Sequence, residues 1–511
     1  MFKKNKKKFI WIRQSLSTNK KPIFISSTSL TFANILEGVS IISILPLIQL
    51  TNQSEQTNKD NKIINYLNTL FDFFNVPMDL SFLLLFIWVL LLFKLIISYF
   101  TFLYIGNKQA EITANNRKNI VKSYLECDWA FISKNQVGEI SNLISNITDK
   151  ASRVFLNLSR FIATFFQLLV YLIFSLYLNY KLTLLIIFLG FLMYIVIKRF
   201  ISISSISSKK INRAVAKLSG IFTDNINGLK SVKSMSKESL ILPHFFDLIN
   251  STAQSQKKII VMKRIVILFQ ELFIISLVLL SFYLFKRLSL KISVSEIIVI
   301  LIFSIRSLQQ FSSLQRDIQS LAIIKAPFEY FQNYKEMIEE NRELSGRKKL
   351  VNIKSLEFKK VSCVFGTSKV FSNLSFKVRK GQIVCIFGPS GIGKSSLVDM
   401  ITGLLKSSSG KILISGYDID TIDLNSLRNM IGYVGQETFL FNKDLKYNIT
   451  LDDKKVKTKD INLAVNFSEL EDFIKLKSDG LNFITGEKGQ FLSGGERQRI
   501  CIARAIANNP K

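Results

Sequence analysis

"GQIVCIFGPSGIGKSSLVDMITGLL", Gly381 to Leu405, carries the pattern G-x-x-x-x-G-K-[ST] as Gly388, Pro389, Ser390, Gly391, Ile392, Gly393, Lys394 and Ser395, with Ser396 next. The apolar run Ile383–Phe387 ahead of it reads as a buried strand, and an amphipathic helix follows. Each residue type has a physical reason to be there. Glycines let successive backbone N–H groups converge on phosphate oxygens. A helix N-terminus adds partial positive charge. A lysine placed like Lys394 reaches the β- and γ-phosphates, and a hydroxyl placed like Ser395 holds Mg²⁺. The stretch therefore predicts ATP and Mg²⁺ as ligands.

Upstream the composition changes. The chain has 511 residues and a formal net charge of +31, and long runs of Phe, Leu and Ile dominate its first three-fifths. Such a charge suggests nucleic acid first, but beside long apolar runs an anionic membrane surface is the better partner, so no nucleic acid is expected. A helix needs about 20 mainly apolar residues to cross a bilayer. Six stretches qualify, near 22–50, 79–105, 160–179, 182–200, 259–285 and 292–315. The basic residues of 1–21 and 198–258 put both segments in the cytoplasm, and the polar, slightly acidic 51–78 outside. Segments 106–159 and 201–258 are charged and amphipathic. They read as helices that continue out of the membrane and return. The cysteines Cys127, Cys363, Cys385 and Cys501 are scattered, which fits a reducing face, and His244 is the only histidine.

Charges inside membrane spans are costly and functional by default. Glu37, Lys94, Glu271 and Arg306 fall in one layer about 20 Å below the outer face when helices are counted at 1.5 Å per residue. Two carboxylates and two cations at one depth suggest pairing, for example Glu37–Lys94 and Glu271–Arg306. Span one also carries a stripe of small and polar residues, Ser27, Thr31, Asn34 and Gly38, which should face a wet cavity or another helix. Asn34 and the four charged residues are candidates for a substrate cavity, with structural ion pairing between helices as the alternative.

Further motifs follow the phosphate loop. "IGYVGQETFLF" contains Gln436, Phe439 and Phe441; "TGEKGQ" contains Glu487; "LSGGE" runs Leu492, Ser493, Gly494, Gly495, Glu496 and opens a basic amphipathic helix. Ser493 and Glu496 also have the spacing of a helix capping box. Taken together, residues 351–511 resemble the nucleotide-binding domain of an ABC transporter, and the six spans ahead resemble the membrane domain of its exporter-type half-transporters. The resemblance implies a helical transmembrane domain with long cytoplasmic extensions, followed by an α/β P-loop NTPase domain. The segments are a basic cytoplasmic tail (1–21), a membrane domain (22–325), a linker (326–350) and the nucleotide-binding domain (351–511).

The resemblance also implies roles. Phe365, in "VSCVFGTSKVF", matches the aromatic that stacks on adenine. Gln436 matches the glutamine that ligands Mg²⁺ and places water. Trp129–Ser133 and Thr223–Gly228 match the two coupling helices. Ser493, Gly494 and Gly495 would grip the γ-phosphate of ATP held by a second subunit, so a homodimer is implied, with a heterodimer as the alternative. The family's catalytic Glu and switch His have no counterpart here, and the nucleotide-binding domain is expected to be incomplete at its C-terminus. The implied activity is ATP-driven export or flipping of a hydrophobic or lipid-linked substrate across the bacterial cytoplasmic membrane. "LEGVSIISILPLIQL", Leu36 to Leu50, resembles flippases of lipid-linked oligosaccharides. Drugs or peptides are alternative substrates, and a regulatory subunit paired with an active half is the alternative function.

Overall fold

The computed structural model describes residues 20–51, 69, 71–72, 77, 79–178, 180–287, 294–365 and 368–511. The chain divides into two units, one of residues 1–125 and 135–340, the other of residues 126–134 and 341–511.

The first unit is helical. Its elements are α1 (Lys20–Ile42), α2 (Ile44–Thr51), α3 (Leu80–Leu125), α5 (Val137–Asn142), a π-helical turn (Leu143–Ile147), α6 (Thr148–Leu178), α7 (Tyr180–Asn227), α8 (Leu229–Ser234), α9 (Glu238–Arg287) and α10 (Val294–Glu340). Three of these stretches, Lys20–Ile48, Leu80–Leu125 and Val137–Tyr177, are long and apolar enough to cross a membrane by length and composition, among the described residues. The other three expected spans fall on α7, α9 and α10, the last of them starting in residues outside the described ones.

The helices outrun the spans. After its apolar half α3 continues through the charged "NKQAEITANNRKNIVKSYL" without a break, because that stretch is rich in good helix formers and contains no proline. Regular helix also runs through 326–340, the first part of the stretch expected to be linker. Phe328, Phe331, Tyr334 and Ile338 recur there at helical spacing and are buried.

The membrane-domain core forms where α1, α3, α6 and α10 meet. Ile41, Leu45, Tyr171, Val299 and Phe303 make one cluster, and Ile23, Leu30, Ile105, Phe155 and Ala163 another. Gly38 allows the close approach of α1 to α6, since a Cβ there would stand 2.5 Å from the Phe174 ring. The stripe on α1 is therefore, at Gly38, a helix contact.

The second unit begins with α4 (Trp129–Lys134), the first expected coupling helix. Its approach is stitched to the start of the domain. Asp128 N–H donates to Asn341 O at 3.0 Å, Glu343 N–H to Glu126 O at 2.9 Å, and Arg342 pairs with Glu126 at 2.7 Å. The sheet is antiparallel, in the order β2-β1-β3-β4, from β1 (Ser355–Phe365), β2 (Ser368–Arg379), β3 (Ser409–Ile414) and β4 (Tyr417–Asp418). Phe358 and Phe376 face each other in register and stack at 4.6 Å. The helices are α11 (Lys394–Ile401), α12 (Leu424–Arg428), α13 (Leu445–Thr450), α14 (Thr458–Phe467), α15 (Glu471–Lys475) and α16 (Gly494–Ala507). A core of Leu440, Leu445, Ile449, Ala464, Ile500 and Ala503 joins α13, α14 and α16.

One expectation fails here. Ile383–Phe387 is not a buried strand: it pairs with no strand among the described residues, and Ile383 and Phe387 are 101% and 84% exposed. An extended run becomes a strand only when neighbours take its N–H and C=O groups, and no described segment does so.

Candidate functional site: a phosphate loop, a capped helix and a buried carboxylate

The phosphate loop is fixed from below. Leu397 and Met400 on α11 bury against Phe358, Val361 and Ile412 of the sheet. The first turn of α11 is thereby held over the loop. Gly393 is its N-cap, with φ +102°, and a Cβ there would lie 2.3 Å from Val370 Cγ1. Only glycine meets both demands. The Lys394 ammonium donates to Gly388 O at 2.7 Å and Pro389 O at 2.9 Å, folding the side chain back across the loop. Ser390, Gly391, Ile392 and Ser395 are exposed, and Ser396 is half-buried. The loop thus offers a run of amides around the positive-φ glycines Gly388, Gly391 and Gly393, an ammonium and an exposed hydroxyl on one helix start, a donor set that fits a Mg²⁺-bound polyphosphate. Phe365 ends β1, and its side chain lies outside the described residues.

The second motif element is the start of α16. Ser493 is its N-cap: the Ser493 Oγ accepts from Glu496 N–H at 3.3 Å, and a Glu496 carboxylate oxygen accepts from Ser493 N–H at 2.7 Å. Both halves of the capping box are made, so the Glu496 carboxylate is engaged. A Cβ at Gly494 or Gly495 would meet nothing within 4 Å, which leaves that first turn open to a ligand. Leu492 is buried beneath it, and its carbonyl accepts from Arg497 at 3.0 Å.

Gln436 is exposed on its loop, and Phe439 and Phe441 stand edge to face at 5.2 Å. The residues that hold this loop carry no motif. Asn448, fully buried, accepts from Phe441 N–H at 2.9 Å and donates to Phe441 O at 2.9 Å. Arg504 of α16 donates to Asn448 O at 2.7 Å and Phe439 O at 3.1 Å. Burial pushes the Arg504 pKa down. Thr485 closes the set by donating to Phe441 O at 2.8 Å. The only hints in the sequence were a polar residue within an apolar helical turn and the basic face of α16.

In the membrane domain, Glu37 is 5% exposed. Its carboxylate lies 3.0 Å from the Lys94 ammonium and 3.7 Å from the Arg306 guanidinium. Gln167 donates to it at 3.5 Å and to Tyr171 Oη at 3.0 Å. The expected Glu37–Lys94 pair is present. The expected Glu271–Arg306 pair is not: Arg306 turns to Glu37, while Glu271 is exposed and has no ion pair among the described residues. The cause is packing. α9, which carries Glu271, lies chiefly along α7, whereas α10 lies chiefly along α6, which also borders α1. Asn34, one turn before Glu37, is buried.

Two family models match the chain, "ABC transporter transmembrane region" over residues 23–310 and "ABC transporter" over residues 371–511. Among curated proteins, the beta-(1-->2)glucan export ATP-binding/permease protein NdvA of Rhizobium etli is 37% identical over 184 residues, 36% of this chain and 31% of that protein. The leukotoxin translocation ATP-binding protein LktB of Mannheimia haemolytica is 39% identical over 142 residues, 28% of this chain and 20% of that protein. The matched stretch thus spans under a third of either relative. Among solved structures, a bacterial Atm1-family ABC exporter with ATP bound superposes with a TM-score of 0.80 at 18% identity, covering 96% of this chain and 85% of that one.

Proposed function

The chain belongs to the ABC transporters, as a multi-pass exporter half-transporter with one membrane domain and one nucleotide-binding domain, and from that premise we propose that it works as a homodimer exporting a lipid-like or lipid-linked substrate across a bacterial cytoplasmic membrane, driven by ATP. The observation that carries this reading is the presence, in one chain, of a phosphate loop and of a capped helix start whose glycine amides are open. Each can take phosphate oxygens, and two copies give each ATP one of each.

Bound ATP with Mg²⁺ supplies the charge that draws the two copies together and the free energy released on hydrolysis. The chain's own groups bind and orient. The loop amides and Lys394 would hold the β- and γ-phosphates, and Ser395 and Gln436 would ligate Mg²⁺. Ser493, Gly494 and Gly495 grip the γ-phosphate in the other subunit. Gln436 also positions water. In this reading the nucleotide-binding domain and N-terminus are cytoplasmic, and α4 passes motion to the spans. The lipid-linked substrate class is supported by the Leu36–Leu50 stretch of α1 and α2 and by the Glu37 cluster on that stretch.

The test is ATPase activity of the protein in liposomes against a panel of lipids, lipid-linked sugars, drugs and peptides. Lipid-linked sugars are expected to stimulate most. Stimulation confined to peptides or drugs would move the substrate assignment to that class, and absence of any ATPase activity would sink the proposal.

A further inference from the structure

A second polar feature of the membrane domain belongs neither to the Glu37 cluster nor to the nucleotide unit. It is a cavity of about 340 Å³ between α3, α6, α9 and α10. Arg153, Arg160 and Lys263 line it, joined by three neutral polar side chains, Gln109, Asn157 and Ser320. No carboxylate is among its lining residues.

Three cations in one concavity repel one another unless something offsets them. Arg153 has a partner outside the wall, Asp149 at 3.0 Å on the same helix. Arg160 acts on Asp317, whose carboxylate also accepts from Thr164 at 2.9 Å. Lys263 has no ion pair among the described residues. Arg153, Arg160 and Lys263 are all exposed, so the mouth is open. Guanidinium forks with an ammonium and neutral amide and hydroxyl donors suit a phosphate dianion, which accepts from several directions at once. The wall also has apolar members, Leu156 and Ile323. These suit the tail of an amphiphile.

The position fits as well. Ser320 lies fourteen residues beyond Arg306 on α10, about 21 Å along the helix, and Gln109 lies fifteen beyond Lys94 on α3, about 22 Å. The cavity therefore sits at the edge of the apolar zone, on the side where α3 turns charged.

We propose that this cavity receives the phosphate or diphosphate group of the exported molecule before it reaches the Glu37 layer. The inference rests on the export reading above and narrows it to substrates bearing such a group.

Binding tests it without requiring turnover. The full chain, in discs of zwitterionic lipid and carrying Lys394→Met so that the phosphate loop contributes nothing, is titrated with inorganic pyrophosphate and, separately, reconstituted with graded phosphatidate. Arg153→Gln/Arg160→Gln/Lys263→Gln is expected to weaken binding at least tenfold, as loss of charge-assisted hydrogen bonds does. Arg153→Lys/Arg160→Lys/Lys263→Arg, which keeps the charge but moves the guanidinium forks, should lose clearly less affinity than the glutamine variant. Binding of pyrophosphate alone supports a site for a free phosphate compound; binding of phosphatidate, with or without pyrophosphate, supports a lipid headgroup. Equal affinity in the parent and the glutamine variant, or equal loss in both variants, overturns the proposal. Failure of transport with this binding intact would instead strike the export reading.

Discussion

The Glu37 carboxylate and the Lys94 ammonium meet at 3.0 Å across α1 and α3, and the carboxylate is far more buried than the ammonium. The asymmetry decides which partner matters more. Removing Lys94 leaves a buried anion that still has Arg306 at 3.7 Å and the Gln167 amide. Removing Glu37 leaves two cations, Lys94 and Arg306, that are only partly buried by the protein. Neither loss should therefore approach the 3–5 kcal/mol typical of a fully buried pair that is broken. We expect Lys94→Met to cost about 1–2 kcal/mol, with Glu37→Gln costing less, read as thermal unfolding in detergent. A larger loss for Glu37→Gln would reverse this order. Function is a separate reading: if Glu37→Gln or Arg306→Gln kept full ATPase and transport, the cluster would be structural only.

Asn448 and Arg504 make a prediction of a different kind, because their partners are backbone groups of one loop. Asn448→Ala strips hydrogen bonds from both backbone groups of Phe441 and one from Arg504, while leaving those groups in place. Phe441 O keeps its bond from Thr485, so the cost falls on Phe441 N–H, and a group left unpaired costs about 1–3 kcal/mol. The loop bearing Gln436 and Phe439 should loosen before the rest of the unit. The check is hydrogen exchange at Phe441, which should speed up in Asn448→Ala while amides of β1 stay protected. Uniform exchange across the unit would show that the network is not local.

How much of this was legible beforehand depended on the range over which each feature is determined. The phosphate loop and the capping box are local: Gly393, Lys394, Ser493 and Glu496 act within a turn of themselves, so spacing alone located them. The helices were equally legible, because periodicity and length are properties of one segment. Pairings between segments were not. Glu271 and Arg306 share a depth, but depth says nothing about which helix faces which, and α9 packs along α7 instead. Asn448 gave no more than the hint of a polar residue in an apolar turn, because its partners are backbone groups, which every sequence has. Ile383–Phe387 had the apolar content of a buried strand, but a strand is made by its neighbours.

Ser493 has two roles that a pair of substitutions can separate. As N-cap, its oxygen accepts from Glu496 N–H. Ser493→Ala should cost about 1 kcal/mol. Ser493→Asp keeps a good cap, so stability should stay near that of the parent, but it adds a negative charge where a γ-phosphate from the other subunit would sit. ATP-dependent dimerisation, followed by light scattering, should therefore fall in both variants, with stability falling only in the alanine one. Normal dimerisation in Ser493→Asp would mean that this helix start does not face phosphate.

Adjacent residues of the phosphate loop should fail in different ways. Gly393→Ala forces a side chain into φ +102°, with its Cβ 2.3 Å from Val370 Cγ1. The conformational term alone is about 1–2 kcal/mol, and overpacking adds about 1–3 kcal/mol. The loop cannot relax without lifting α11 from the Leu397 and Met400 contacts, so nucleotide binding and thermal stability should fall together. Lys394→Met removes only an ammonium bonded to two carbonyls of its own loop. Thermal stability without ligand should therefore change by less than about 1 kcal/mol. The stabilisation that ATP with Mg²⁺ gives the parent, which grows as the logarithm of ligand concentration over Kd, should shrink sharply. A thermal-shift titration of both variants separates the two effects. If Lys394→Met were as unstable without nucleotide as Gly393→Ala, the lysine would be holding the loop's shape rather than awaiting a phosphate.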